Sequence, residues 1–321
     1  IHRLQEEIKE RDHLTEGWRE STLTAVGAVE IGRQGLDALR SEAAVMEGLE
    51  NKVLQDGWQS FNVKDAKLKY FMYTKGSPEI HRLVDLRREC RGLVLDELGE
   101  VRVRPVQKFF ALHKLQGARK ETNEGYCDDR GAVKTVTEKV DGEMMCGVIR
   151  NGGAELWSRG GWTAQAKSAT RWASEEGSGV LGVIADTHEL NATATFEYVG
   201  RQSTVKAEYR KTDLVLVSVR SNRTGIYWGH AELLELSQKY QVTAVHRFTD
   251  LEGMSLNEIQ SLVRTWEGVE GVVVHMSSGI VHKIKSEWWL AVDKESKRRW
   301  YCPDSKAAAG RRDAKRVHHL E

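Results

Sequence analysis

From about Lys67 onward the chain is cut into short β-rich stretches separated by turn pairs, and this segmentation limits the possible folds more than any other feature. KLKYFMYT, CRGLVLDELGEVRVRPV, EKVDGEMMCGVIRNGGAELWSRG, TATFEYVG, DLVLVSVRSNRTGIYWG, EGVVVHM and IVHKIK carry the β-branched and aromatic residues. Leu98-Gly99, Asn151-Gly152, Thr224-Gly225 and Ser278-Gly279 punctuate them, which predicts antiparallel hairpins. Helical periodicity interrupts the strands at about 163–175, 230–239 and 256–266. Strands in hairpins with helices between them predict an α+β fold of antiparallel sheets flanked by helices, not a doubly wound parallel sheet. The part before them reads differently. It has no proline before Pro78, and Leu36, Leu39, Ala43, Met46, Leu49 and Val53 step by three and four. Helices are expected through most of the first 55 residues, with a break near Gly27, Gly32 and Gly35. The opening run IHRLQEEIKERDHL is either a partner-binding helix or a solvated one.

Composition narrows the class of partner. Forty-eight Lys and Arg stand against 47 Asp and Glu, a net charge of +1, so a polyanionic partner has to be met by a local basic cleft. No run approaches the roughly 20 apolar residues that span a bilayer, and no signal segment opens the chain, so no membrane partner and no secretion are expected. Cys90, Cys127, Cys146 and Cys302 are scattered without a CxxC pair. That fits free thiols in a reducing compartment, cytoplasmic or nuclear, better than a disulfide frame or a zinc site.

The chemistry concentrates around Glu138-Lys139-Val140-Asp141-Gly142-Glu143, read as a loop at 131–137 entering a strand. Downstream come Phe196-Glu197-Tyr198, Glu270-Gly271-Val272-Val273 and Lys283-Ile284-Lys285; upstream come Arg91-Gly92, Arg104-Pro105 and Lys108-Phe109-Phe110. Strand periodicity sends Lys283 and Lys285 to one face, where two like charges are unfavourable unless a polyanion such as a triphosphate lies between them. Glu197 and Glu270 each border an apolar strand. Burial there is costly unless a ribose hydroxyl, a metal-bound water or a cation meets the carboxylate.

Taken together these elements resemble the covalent nucleotidyltransferase superfamily of polynucleotide ligases and capping enzymes, and specifically the bacteriophage RNA ligase 1 family. KVDG at Lys139–Gly142, FEYV at Phe196–Val199, EGVVV at Glu270–Val274 and HKIKSEWW at His282–Trp289 follow that family's order over roughly residues 45–295. Cys90–Leu112 and Thr195–Gly225 are similar to its pre-nucleophile and middle segments. Glu143 stands where the family often has Ser, and the family's C-terminal helical domain, tied to tRNA, is expected to be missing or reduced to the basic tail. The resemblance implies an ATP-grasp-like nucleotidyltransferase core at 45–297, after a helical extension at 1–44 and before a basic tail at 298–321.

It also implies roles. Lys139 would attack the α-phosphorus of ATP and form a lysyl-AMP, its pKa depressed by Lys283, Lys285 and a hydrated Mg2+ or Mn2+ ion. Glu270 would hold that ion through water, Glu197 the ribose hydroxyls, Arg91 the ribose and reacting phosphate, and Lys108 the triphosphate. Lys283 and Lys285 would neutralise the α-phosphate. Asp141 and Gly142 complete the nucleotide-binding motif, and Arg159 in SRGG falls where the family carries a further phosphate contact. Phe110 or Phe109 would pack on the nucleotide or in the core; Glu138 would meet the adenine amino group or solvent. Trp288 and Trp289 would stack an RNA base or pack in the core. AMP would then pass to an RNA 5′-phosphate, and a 3′-hydroxyl would displace it, a chemistry of RNA repair and of tRNA repair. A kinase or phosphatase domain, or another protein, could join through the N-terminal helices. A DNA ligase or a capping guanylyltransferase is expected to add an oligonucleotide-binding barrel after the lysine strand, and residues 286–321 are too short for one. The rival of another class is a catalytically silent RNA-binding or partner-binding module.

Overall fold

The computed structural model describes residues 52–54, 58–63, 68–73, 91–96, 100–112, 132–200, 208–209, 211–277, 280–301 and 317–318. The expected helical extension at 1–44 lies outside the described residues, as do Cys90, Cys127 and Cys302. The chain divides into two compact units: Ile1–Lys108, Met145–Phe196 and Ser218–Gln241 form one, and Phe109–Met144, Glu197–Val217 and Val242–Glu321 form the other.

In the first unit, β1 (Lys52–Leu54), β2 (Trp58–Val63), β3 (Leu68–Tyr73), β4 (Arg91–Asp96) and β5 (Val101–Val103) make one sheet in chain order, all neighbours antiparallel. Val53 therefore lies in a strand opposite Gln59 and not in the helix expected there. Its spacing fits both periods, and pairing with the WQSFNV strand decides between them. A second sheet takes β8 (Glu143–Arg150), β9 (Gly153–Ser158), β10 (Ala192–Val199) and β12 (Asp213–Ser221) in the order β12-β10-β8-β9. Glu143–Met144, Glu197–Val199 and Asp213–Val217 of these strands belong to the second unit. The β8–β9 hairpin turns on Asn151 and Gly152, whose φ of 50° and 79° suit the mirror-image turn that right-twisted strands require. Leu68, Tyr70, Val94, Val103, Cys146, Val148 and Trp157 form a buried cluster.

Three helices complete this unit: α1 (Ala164–Glu175), α2 (Ser178–Glu189) and α3 (His230–Tyr240). α1 and α3 fall where the periodicity placed them. α2 was not foreseen, because Gly179 and Gly182 weaken helix propensity by about 1 kcal/mol each. Packing explains the second: a β-carbon on Gly182 would sit 2.4 Å from the Tyr240 ring of α3, so only glycine permits this approach.

In the second unit, β6 (Phe110–Ala111), β7 (Val133–Glu138), β13 (Gly271–Met276) and β14 (Val281–Lys285) form a sheet ordered β6-β14-β13-β7. β7 replaces the loop expected at 131–137: Val133 to Glu138 pair antiparallel with Met276 to Val272 of β13. Hairpins do not account for the whole unit, since β6 runs parallel to β14, and β11 (Glu208–Tyr209) runs parallel to β15 (Val317–His318). Val317 and His318 of the basic tail thus join a strand pair. One sheet face is covered by α4 (Leu256–Arg264), where Leu256, Ile259 and Val263 pack with Val136, Val272, Val274 and Ile284. The last helix, α5 (Glu287–Tyr301), continues the lysine strand after Ser286.

Candidate active site

The face of this sheet opposite α4 holds the candidate residues. Along β14 the buried side chains His282 and Ile284 alternate with half-buried Lys283 and Lys285, so both lysines share one face as the period of two requires. Val273 stands opposite Lys283 and Gly271 opposite Lys285. Gly271 has φ +142°, and a β-carbon there would lie 2.0 Å from the Ile284 carbonyl oxygen. Glycine at this position lets β13 lie against the lysine strand immediately beside Glu270.

Lys139 follows β7 directly, and its N–H donates to the Gly271 carbonyl at 2.8 Å. The Glu270 carbonyl accepts from Ser286 N–H at 2.9 Å, and the Ser286 hydroxyl donates to the Val269 carbonyl at 2.6 Å. The backbones flanking the nucleophile candidate, the carboxylate and the second lysine are therefore tied together. The side chains close the arrangement: Lys139 Nζ lies 2.8 Å from Glu270 Oε2, and Lys285 Nζ 2.7 Å from Glu270 Oε1. Glu270 is 5% exposed, and two cations meet the cost of burying its charge. The Lys285 ammonium also stands over the Trp289 ring, 3.3 Å from its centroid, and that of Lys283 lies 5.5 Å from the Phe109 ring centre. Trp289 is buried. Phe110 contributes backbone pairing to His282.

Burial opposes a charge on Lys139, but Glu270, Glu197 and Asp141 outweigh it and hold the pKa above the ordinary lysine value. The depressed lysine is Lys285. Burial lowers it most, Lys139 adds to the effect, and Glu270 offsets only part.

The turn after Lys139 is enclosed. Asp141 is buried, and its backbone N–H donates to the Tyr209 hydroxyl at 2.9 Å. Burial pushes that phenol far above its usual range, and Glu138, Asp141 and Glu197 push it the same way. A β-carbon on Gly142 would come within 2.6 Å of the Tyr198 carbonyl and 2.7 Å of Glu197 Cγ, which sets the KVDG turn directly against the half-buried Glu197. Glu138 is half-buried, with its N–H donating to the His246 carbonyl at 2.9 Å. Among the described residues no three His, Cys, Asp or Glu converge as a metal cluster.

The sequence reading passed over Tyr209 and Ser286. Ser286 left a signal, because a Ser before Glu-Trp-Trp is a helix-capping position, and its hydroxyl accepts from Trp289 N–H at 3.1 Å. Tyr209 left none, since its partner is 68 residues away.

The remaining candidates belong to the first unit. Arg91 opens β4, half-buried and close enough to the Tyr70 phenol and the Cys146 thiol to favour their ionised forms; burial nonetheless pushes Cys146 up to about 12. Lys108 is half-buried. Arg159 sits in the tight turn after β9, where the Tyr70 hydroxyl donates to its carbonyl. Arg104 is buried at 4% exposure, its guanidinium donating to the carbonyls of Asn222 and Arg223 at 3.4 Å, so that cation is consumed in holding a turn.

A family model described as RNA ligase matches residues 89–298, a span that includes every motif quoted above. The chain belongs to the RNA ligase family. RNA ligase 1 of bacteriophage TS2126 is 26% identical over 219 residues, covering 67% of this chain and 54% of that protein. A Thermovibrio ammonificans protein carrying a provisional RNA ligase name is 26% identical over 210 residues, covering 64% of this chain and 52% of that one. This chain thus spans about half the length of the curated relatives it matches. Among solved structures, an Aquifex aeolicus protein with the provisional title of ATP-dependent DNA ligase superposes with a TM-score of 0.50 at 16% identity, covering 78% of this chain and 65% of that one. That likeness is one of fold: the RNA ligase family chain has the α+β nucleotidyltransferase core. No helix among the described residues is long and apolar enough to cross a membrane.

Proposed function

We propose that the chain carries the adenylyltransferase core of an ATP-dependent RNA ligase, at residues 45–297 between a helical extension and a basic tail. One observation carries the reading: Lys139 and Lys285 share the buried Glu270 carboxylate, and Lys283 stands on the same strand face as Lys285. Lys139 Nζ, once deprotonated, attacks the α-phosphorus of ATP. An N–P bond forms, the bond to the bridging oxygen breaks, and pyrophosphate leaves. Lys283 and Lys285 stand on the same strand face to neutralise the charge spreading over the phosphate. Glu197, against the KVDG turn, is placed for ribose hydroxyls, with Asp141 and Gly142 fixing the turn. Arg91, Lys108 and Arg159 are assigned to nucleotide and phosphate contacts, Phe110 to packing and Glu138 to the adenine amino group. An RNA 5′-phosphate oxygen then takes the AMP from Lys139, and a 3′-hydroxyl displaces AMP to form the phosphodiester.

The donor set fits a hydrated divalent cation, Mg2+ or Mn2+, because such an ion keeps several waters and needs only one or two carboxylates besides substrate phosphates. Glu270 would hold it. When bound, the ion supplies charge neutralisation at the triphosphate. The substrate is RNA with a 5′-phosphate and a 3′-hydroxyl, tRNA among the candidates, in a reducing compartment, with a kinase or phosphatase domain or another protein as the candidate partner of residues 1–44.

Incubation with α-labelled ATP and magnesium, followed by a denaturing gel, tests the reading. An acid-labile label absent from Lys139→Ala is expected. Wild-type labelling of Lys139→Ala overturns the site assignment. No label on folded, non-adenylylated wild-type protein moves the chain to the silent RNA-binding module.

A further inference from the structure

The first unit presents an aromatic ring that the ligation chemistry does not use. Trp162 is 38% exposed, the one aromatic among the exposed large apolar side chains of the described residues. It follows a rigid turn. Ser158 N–H donates to the Gly161 carbonyl at 3.0 Å and Gly161 N–H returns a bond at 2.9 Å. The Ser158 hydroxyl lies 2.9 Å from that of Thr163, and Tyr70 holds the Arg159 carbonyl.

Beneath the indole stands Arg150, its Cζ 5.5 Å from the ring centre. Glu155 grips that guanidinium at 2.9 and 2.7 Å, which fixes the support and neutralises it. The ring is thus positioned before any partner arrives, which lowers the ordering cost of binding.

Its surroundings say what kind of partner suits it. Thr163 caps α1, so Trp162 occupies the position before the cap, where an apolar residue ordinarily packs on the fourth helical residue. Here that residue is Lys167, exposed, and Arg171 repeats the cation one turn later on the same face. The first turn of α1 holds no acid. An exposed indole backed by the paired Arg150 and followed by the exposed Lys167 and Arg171 of α1 complements a chain of stacked bases and phosphates.

We propose that Trp162, with Lys167 and Arg171, forms a stacking platform for single-stranded RNA. The inference rests on the RNA ligase reading and names where its substrate is held. It is tested on the full chain with a fluorescein-labelled, 5′-phosphorylated single-stranded RNA, by anisotropy over a salt series. Losing one stacked base weakens binding by about 5- to 150-fold, so W162A should show a loss in that range and W162F should recover most of it. Replacing Lys167 and Arg171 together with Ala should reduce the slope of log K against log salt by about 1.4, roughly 0.7 for each cation on a single strand.

Wild-type affinity in W162A overturns the proposal and leaves this surface to a protein partner. Equal weakness of W162F and W162A overturns it too, since a stacking ring would have been restored. Failure of the ligase reading shows separately, as the absence of lysyl-AMP on wild-type protein without RNA, whatever the binding curves give.

Discussion

Tyr209 holds the turn behind the nucleophile candidate by a single atom, its hydroxyl accepting the Asp141 N–H at 2.9 Å. Tyr209→Phe keeps the ring and leaves that buried amide unpartnered, which costs about 1–3 kcal/mol. Urea unfolding should register the loss, and covalent AMP uptake should fall because the Lys139–Gly142 turn is no longer pinned. Unchanged stability and unchanged labelling in Tyr209→Phe would show that the bond does not order the turn. The contrast with Lys139 shows how far the sequence could be read at this scale. Lys139, Glu270, Lys283 and Lys285 stood out because each carries a charge in an apolar strand context, and local patterning reveals that. That Glu270 would serve Lys139 and Lys285 together was hidden, since Lys139 and Glu270 are 131 residues apart and only the β7–β13–β14 register joins them.

Among the elements, α4 begins where the periodicity placed it, and its start shows a physical reason. Ser255 accepts from Glu258 N–H at 3.3 Å while the Glu258 carboxylate accepts from Ser255 N–H at 2.8 Å, a reciprocal cap written in four consecutive residues. Leu256, Ile259 and Val263 then lie on the face that covers β13 and β14 opposite the lysines. Ser255→Ala should cost about 1 kcal/mol. A calorimetric Tm lower by a few degrees is expected, with AMP uptake well below that Tm little changed, because the cap supports the sheet from behind. A Tm equal to wild type would mean that the helix start is held by its apolar contacts alone. Elements whose cause is distant were less legible. β7 has one strand neighbour and no turn pair before it, and pairing with β13 makes it a strand. α2 carries glycines that propensity penalises and that the approach of Tyr240 requires.

At the scale of the molecule, a net charge of +1 conceals groups whose protonation differs sharply between folded and unfolded chain. His275, half-buried in β13, is pushed down to about 4, chiefly by burial and further by the Lys134 ammonium. An unfolded histidine titrates near about 6.5. Between those values the unfolded chain takes up a proton that the native sheet refuses, so the unfolded state binds more protons and stability falls as the pH falls. The slope from this group is at most about 1.4 kcal/mol per pH unit. Above about pH 6.5 both states hold a neutral imidazole and the group contributes no slope. Lower still, Asp186 adds to the acid limb: burial alone would raise its pKa, but Lys239 and Tyr240 outweigh that and hold it below the ordinary carboxylate range. That contribution is present at neutral pH and is lost as the carboxylate takes its proton. Hydrogen exchange of the β13 amides from about pH 7 to about pH 5, corrected for intrinsic rates, should therefore show falling protection in the wild type. The limb should be flatter in His275→Thr, which places a strand-favouring β-branched residue without a titratable group opposite Thr135 and Val281. A wild-type limb as flat as the variant's would mean that His275 accepts its proton inside the folded sheet, and the acid sensitivity would then have to come from the carboxylates.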